Sequence, residues 1–172
     1  MDNQQATPFE LGWLVGAIDG EGCIGITRRN RKDHPTTIGF TLKPHVQIAN
    51  CDKSFVDRCT HILRKMNVPF HVSHYEGKNR RRENWTVVIA GLKRVNTILP
   101  TIAPLLCEEK REKAFLVQEF IDSRLADWHA APFTKRQLEV FELVGKLNVK
   151  GTPAPSLRDY TRSNRSSRYP TG

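Results

Sequence analysis

The stretch LGWLVGAIDGEGCIGI, residues 11–26, decides how this chain is organised. It is an apolar, helix-like run that carries glycine at positions 12, 16 and 20 and ends in two acids, Asp19 and Glu21. Glycine inside a helix costs about 1 kcal/mol relative to alanine, and residues four apart lie on one helix face. Because bare glycines let two backbones approach closely, we expect this face to pack against a second copy of the same helix, related by a two-fold axis.

The predicted contact between the two copies brings the C-terminal ends of both helices side by side. Each end presents Asp19 and Glu21, so the dimer would hold a pair of carboxylates at its centre. The residues expected at this dimer interface are Gly12, Trp13, Gly16, Ala17 and Gly20.

The spacing of apolar residues predicts an α+β fold with the order αββαββα, followed by a C-terminal helix at about 134–148 and a basic tail. The first helix is expected to run from Pro8 to Asp19, with Thr7 and Glu10 forming a capping box and Gly20 and Gly22 ending the helix. Four antiparallel strands follow in two hairpins. Residues 1–151 form one domain in this interpretation, and residues 152–172 form a flexible tail.

Each predicted strand has one apolar face and one polar face. In the second strand Phe40, Leu42, Val46 and Ile48 lie on the apolar face, and Pro44 indicates an irregularity or a sheet edge. In the second hairpin Phe70, Val72, Trp85, Val87 and Ile89 are expected to face the core, while His71, Ser73, Tyr75, Thr86 and Val88 face away from it. We expect helices to cover the apolar face.

The composition favours a polyanion as the partner. The chain has 27 Lys and Arg against 18 Asp and Glu, a net charge of +9, which is typical of proteins that bind nucleic acid or an acidic membrane surface. No apolar run approaches the roughly 20 residues that span a bilayer. Four cysteines without a C-x-x-C pair argue against a zinc or redox site. The start resembles neither a signal nor a transit peptide, so we expect an intracellular, reducing location.

The polar face of the sheet lies between two arginine-rich turns, RRNRK and KNRRR. Such a face suits the DNA major groove, where its side chains can reach base edges and the arginines can reach phosphates. A solvated sheet face is the alternative, and the A-form major groove of RNA is too narrow for a sheet. The residues predicted to bind DNA are Thr27, Arg29, Arg31, Lys32, Thr41, Lys43, His45, Gln47, His71, Ser73, Tyr75, Lys78, Arg80, Arg81, Arg82, Thr86, Arg158 and Arg162.

The segment LVGAIDGEG, residues 14–22, resembles the signature of the LAGLIDADG homing endonucleases. It departs from the family pattern at Glu21, where the family name has aspartate. The order of helices and strands extends the resemblance over roughly residues 7–130. A single motif in a short chain is similar to the homodimeric branch. The resemblance implies a site-specific DNA endonuclease that makes a double-strand break in a long, nearly palindromic target, with no small-molecule substrate.

The resemblance also implies a metal site. Glu21 would be the metal-binding carboxylate and the Gly20 carbonyl a further ligand, with Mg²⁺ or Mn²⁺ supporting hydrolysis and Ca²⁺ binding without cleavage. Oxygen ligands of this kind suit such ions. Asp19 corresponds to the first acid of the motif, whose role in the family is to cap and stabilise helix ends.

Three further residues are assigned to catalysis by the resemblance. Lys110 would be the charge-stabilising lysine, with Glu109 or Lys113 one step or one helical turn away. Asn50 would organise solvent and Lys53 would supply a cation. The alternatives are a solvated helix face for Lys110 and a helix-capping turn for Asn50.

Three other functions remain open on the sequence. A DNA-binding regulator could have kept the fold and lost the metal site, although the acid at 21 and the lysine at 110 argue against it. An RNA maturase could share the fold and coexist with nuclease activity. A purely structural α+β dimer would leave the glycine face unexplained.

Overall fold

The computed structural model describes residues 5–30, 39–77, 82–127 and 131–148. The predicted α+β fold is confirmed. Its elements, in chain order, are α1 (Pro8–Glu21), β1 (Gly22–Asn30), β2 (Phe40–Asn50), α2 (Lys53–Lys65), β3 (His71–Tyr75), β4 (Asn84–Ala90), α3 (Leu92–Asn96), α4 (Leu99–Ile102), a 3₁₀ turn (Ala103–Leu105), α5 (Glu108–Ala126) and α6 (Lys135–Asn148). The predicted DNA-binding residues Arg31, Lys32, Lys78, Arg80, Arg81, Arg158 and Arg162 lie outside the described residues.

Helix α1 begins as predicted and ends later than predicted. The Glu10 side chain accepts a hydrogen bond from the Thr7 N–H at 2.8 Å, and the Glu10 N–H donates to Thr7 Oγ1 at 3.2 Å. The helix continues beyond Asp19 to Glu21, and the N–H of Gly22 donates to the Ile18 carbonyl. A Cβ at Gly22 would lie 2.5 Å from that carbonyl oxygen, so this glycine is required by a close backbone approach.

The four strands form one antiparallel sheet in the order β1-β2-β4-β3. The expected irregularity or edge at Pro44 is a local edge: β2 is a central strand of the sheet, but its residues before His45 pair with β1 alone. Pairing between β2 and β4 begins at His45 and Ala90. Gly91 follows directly after β4, and its N–H donates to the Pro44 carbonyl at 2.9 Å. Pro44 therefore lies at the very end of the β4 ladder, where its missing N–H removes little pairing.

The hydrophobic core lies between the helices and one face of this sheet, and it contains Leu14 and Ile18 of α1, Val46 and Ile48 of β2, and Phe120 of α5 among its buried side chains. Val72 was expected to join this core but is 43% exposed. The reason is its place on β3, an edge strand whose residues are all exposed.

Helix α6 packs on α5 and reaches the free edge of β1. Its predicted cap is present, because the Thr134 N–H donates to Gln137 Oε1 at 3.1 Å and the Gln137 N–H donates to Thr134 Oγ1 at 3.2 Å. At its other end Asn148 Nδ2 donates to the Ile24 carbonyl at 3.1 Å. This contact shields part of an edge strand that would otherwise present unpaired backbone groups. Among the described helices, none is long and apolar enough to cross a membrane.

Candidate active site and DNA-binding face

The glycine face of α1 is open in the single chain. A Cβ built at Gly12, Gly16 or Gly20 would meet no atom within 4 Å, and all three residues are exposed. Glu21, the last residue of the helix, is exposed at the end of this face. Within the described residues nothing explains the three glycines, and they leave a surface that a second backbone could approach.

Two residues expected at the same interface are held by their own chain instead. Ala17 is only 7% exposed and belongs to the hydrophobic core, so little of its side chain is left for a partner, and its place at the dimer interface stays a prediction. Trp13 is half-buried, with its ring 5.2 Å from that of Phe55 and the Arg58 guanidinium carbon 4.3 Å from its ring centroid. Both contacts direct Trp13 toward α2 rather than toward a partner.

Lys110 lies directly at the C-terminal end of α1. Its ammonium donates to the carbonyls of Ile18 and Asp19, each at 2.5 Å. The last carbonyls of a helix have no partner within it and carry partial negative charge, which explains why a cation occupies this position. Burial lowers the pKa of Lys110, while the nearby Asp19 carboxylate opposes that shift.

Asp19 joins the same helix end to α5. Its two carboxylate oxygens accept the N–H of Cys107 at 3.1 and 3.2 Å, and Cys107 is the residue that precedes the first turn of α5. A hydrogen bond from the thiol to Asp19 raises the pKa of Cys107. Asp19 therefore caps a helix start, which is the role that the resemblance implies for it.

A cleft of about 500 Å³ opens beside this junction. Asp19, Cys107, Lys110, Lys113 and Asn148 line it, together with Gly22, Cys23, Ile24, Glu109 and Leu147. Lys113 is buried, with its ammonium 3.2 Å from Glu109 Oε1. Glu109 and Lys113 therefore line the same cleft as Lys110. Of these three side chains, Lys110 is the one that donates hydrogen bonds to the carbonyls of α1.

The residues of the strands that were predicted to bind DNA, and that the structure describes, lie together on the polar face of the sheet. The strand register places Thr27 opposite Lys43, Arg29 opposite Thr41, Thr86 opposite Ser73, and Gly25 opposite His45. From Cys23 to Arg29 the face is six residues long, or about 20 Å at the strand rise of about 3.3 Å per residue. Gln47, His71 and Tyr75 lie on the same face, and Arg82 is exposed just before β4.

His45 is a half-buried candidate with contacts on β1. Its Nδ1 lies 3.1 Å from Thr27 Oγ1. Its ring packs closely over Gly25, because a Cβ added to that glycine would lie 3.1 Å from Cε1 of His45. The same Cβ would be 2.9 Å from Asn148 Nδ2, so the end of α6 covers this corner of the face. Burial lowers the pKa of His45, and the ring is therefore neutral near pH 7.

Comparison with known proteins identifies this arrangement. No protein-family model and no curated protein sequence matches the chain. Solved structures do match: the archaeal intron-encoded homing endonuclease I-Vdi141I, complexed with DNA, has a TM-score of 0.67 at 14% identity over 92% of this chain and 96% of its own. The homing endonuclease I-TnaI matches with a TM-score of 0.61 at 17% identity, over 92% of this chain and 97% of its own.

A longer protein matches over half of its length. The LAGLIDADG homing endonuclease I-GzeII, in complex with its DNA target, has a TM-score of 0.59 at 16% identity, over 94% of this chain and 50% of its own. The chain has the fold of the LAGLIDADG homing endonucleases. The fold predicted from the motif at residues 14–22 is thereby confirmed.

Within the homing-endonuclease fold, Glu21 and Gly20 are suited to hold a divalent cation. Glu21 offers an exposed carboxylate, and the Gly20 carbonyl is one of the last four of α1, which lack a partner within the helix. Oxygen donors at a negative helix end fit Mg²⁺. Among the described residues no group of three or more His, Cys, Asp or Glu is placed to hold a metal. Because Mg²⁺ takes six oxygen ligands, two donors from one chain would leave coordination positions for other oxygen ligands such as water and phosphate.

Asn50 and Lys53 lie at the same end of the sheet, because Gly22 pairs with Ile48 and Asn50 follows two residues later. Asn50 Oδ1 accepts the Asp52 N–H at 2.8 Å, in the turn that leads into α2. Lys53 is exposed, and its ammonium lies 2.6 Å from Asp57. The Asn50 contact belongs to the helix-capping turn, and the Lys53 contact is an i,i+4 ion pair within α2. Catalytic roles for both residues stay predictions.

Two features of this homing-endonuclease fold escaped the sequence reasoning. The contact of Asp19 with Cys107 joins residues 88 positions apart, and no local pattern signals it. The second is the burial of Val88, which the strand alternation correctly places away from the core but which is only 9% exposed on the polar face of the sheet.

Proposed function

We propose that two copies of this chain form a site-specific DNA endonuclease that cuts both strands of a long, nearly palindromic target with the help of a divalent metal ion. The homing-endonuclease fold supports a DNA endonuclease in general terms. The observation that carries the finer proposal is the open glycine face of α1, which ends at the exposed carboxylate of Glu21.

The sheet supports DNA as the partner. Its polar face is about 20 Å long from Cys23 to Arg29, which corresponds to about six base pairs at 3.4 Å each. With a net charge of +9, the chain has the excess of cations that phosphate contacts require. I-Vdi141I and I-GzeII, which share the fold, are described in complex with DNA.

The lengths of the matched proteins support a two-fold assembly. The chain covers 97% of I-TnaI but only 50% of I-GzeII, so one unit of this size corresponds to half of a longer homing endonuclease. Each copy would then read one half of the target. The glycine faces would bring the two α1 helices together, and the two Glu21 carboxylates would meet at the centre of the target.

The residues at the end of α1 have separate tasks in this proposal. Glu21 and the Gly20 carbonyl would hold the metal ion, which supplies an acidified water and neutralises charge on the leaving oxygen. Lys110 holds the end of α1 through the carbonyls of Ile18 and Asp19. Its ammonium would also supply a positive charge near the phosphate that is cut, and its partial burial in the cleft would strengthen that effect.

The proposal is tested by incubating the protein with a randomised double-stranded DNA library and Mg²⁺, and sequencing both the bound molecules and the cut ends. We expect a long consensus with approximate two-fold symmetry, cut on both strands. Glu21→Gln should abolish cutting and leave binding unchanged.

The matched control is Glu112→Gln, the same substitution at an exposed position of α5, which should cut like the wild type. Binding without cutting by the wild type would contradict the nuclease and favour a DNA-binding regulator. Normal cutting by the Glu21→Gln variant would contradict the metal assignment.

A further inference from the structure

Val88 is an apolar side chain buried in an unexpected place. It is only 9% exposed, yet of the buried apolar residues that the structure describes it alone lies outside the hydrophobic core. The register explains this, because Val88 pairs with Gln47 on one side and His71 on the other. Both neighbours belong to the polar face, so Val88 is buried on the side of the sheet that faces away from the helices.

The surroundings of Val88 form a shallow apolar floor in an otherwise polar surface. Ala90 lies two residues along β4 on the same face, and Ala49 lies diagonally across on β2. Val88 has a shorter side chain than Gln47 and His71, which flank it in the same cross-strand row. Alternate residues of a strand share a face, so no core residue contributes to this floor.

We propose that the row Gln47–Val88–His71 reads one A·T base pair, with the Gln47 amide contacting adenine and the Val88 methyl groups contacting the 5-methyl group of thymine. The inference rests on the proposed DNA-binding function and deepens it. A glutamine amide matches the adenine N6 and N7 atoms in the major groove, and apolar side chains contact the thymine methyl. Arginine and lysine, which commonly select guanine, are absent from this row.

The position of the row predicts where the base pair lies. Gln47 is opposite Cys23, one residue from the pair of Gly22 with Ile48, so the row is next to the end of the sheet where Glu21 lies. Arg29 is six residues farther along β1, about 20 Å away. The A·T pair should therefore occur close to the cleavage position in each half of the target, and not in its outer part.

The test replaces single atoms in the DNA. A target is selected by the wild type from the randomised library, and each thymine of one half-site is replaced in turn by uracil, which pairs identically but lacks the 5-methyl group. Dissociation constants are measured at one salt concentration. Losing one buried methyl contact should weaken binding of the wild type about fourfold, at one position near the cleavage site.

Val88→Ala should bind the thymine and uracil versions equally at that position. The matched control is Val72→Ala, the same substitution on the opposite face of the sheet, which should keep the fourfold difference. Val88→Thr preserves the shape of the side chain and serves as a second variant, with an intermediate difference expected because one of two methyl groups remains.

The outcomes separate this inference from the proposed function. A selected consensus without an A·T pair near the cleavage site, or equal thymine discrimination by wild type and Val88→Ala, overturns the base assignment and leaves the endonuclease intact. Failure of the wild type to select any DNA overturns both.

Discussion

Replacing Gly16 by alanine should change the stability of the subunit and the stability of the dimer in opposite directions. In the single chain a Cβ at Gly16 meets no atom within 4 Å, so the substitution has no steric cost. It removes a glycine from a helix interior, which is worth about 1 kcal/mol in favour of alanine. The isolated subunit should therefore become more stable by about 1 kcal/mol, which moves its urea midpoint upward by about 0.5 M.

The dimer should weaken at the same time. A methyl group forced into a closely packed contact costs about 1–3 kcal/mol, and a two-fold dimer contains the substitution twice. A total of at least about 2 kcal/mol raises the dissociation constant of the dimer about thirtyfold. Sedimentation equilibrium measures this constant, and urea unfolding followed by circular dichroism, at a concentration where the protein is monomeric, measures subunit stability.

The control for this experiment is Gly22→Ala. Its Cβ would lie 2.5 Å from the Ile18 carbonyl oxygen and 2.8 Å from the Ile18 Cα, so it should destabilise the monomer whatever the assembly. If Gly16→Ala stabilises the monomer and leaves the dimerisation constant unchanged, the glycine face is not the contact between subunits.

Three further results are expected. Lys110→Met removes the ammonium from the carbonyls of Ile18 and Asp19, so single-turnover cleavage should slow at least about tenfold while DNA binding stays within twofold; cleavage at the normal rate would contradict a role for Lys110. The hydrogen bond from Lys65 and those from Thr7 hold the pKa of Glu10 at about 2 instead of 4.5, so this carboxylate stabilises the fold above pH 4.5 and the benefit is lost as the pH falls toward 2. Glu10→Gln should accordingly have a lower Tm than the wild type at pH 6, with a gap that closes by about pH 2, and a constant gap would refute this explanation. DNA affinity of the wild type should fall by roughly 10³–10⁵ between 50 and 200 mM salt if six to ten phosphates are contacted, which a filter-binding titration measures.

Local patterns in the sequence predicted most of the fold, because each depends on neighbours in the chain. The capping residues Thr7 and Glu10 located the start of α1, and Thr134 and Gln137 located the start of α6. The alternation of apolar and polar residues separated the two faces of the sheet. The same alternation misjudged Val72, since it reports the direction of a side chain and not whether a helix reaches an edge strand to cover it.

The candidate site was less predictable because its contacts are distant in sequence. The resemblance named Glu21 and Lys110 as candidates, but the contact of Lys110 with the α1 carbonyls spans more than 90 residues. Ala17 shows a related limit. It is small like the glycines beside it, and only the three-dimensional packing shows that its side chain belongs to the hydrophobic core.

The junction of α1 with α5 consists of two sets of hydrogen bonds, and in both sets the donor belongs to the start of α5 and the acceptor to the end of α1. A backbone N–H of Cys107 points to the α1 carboxylate of Asp19, and the α5 ammonium of Lys110 points to the α1 backbone. A rotation or translation of α1 would consequently also move the Lys110 side chain. If α1 is where two subunits meet, then the quality of their fit determines the placement of acid and lysine together, and a poorly matched partner would impair catalysis even with every site residue intact.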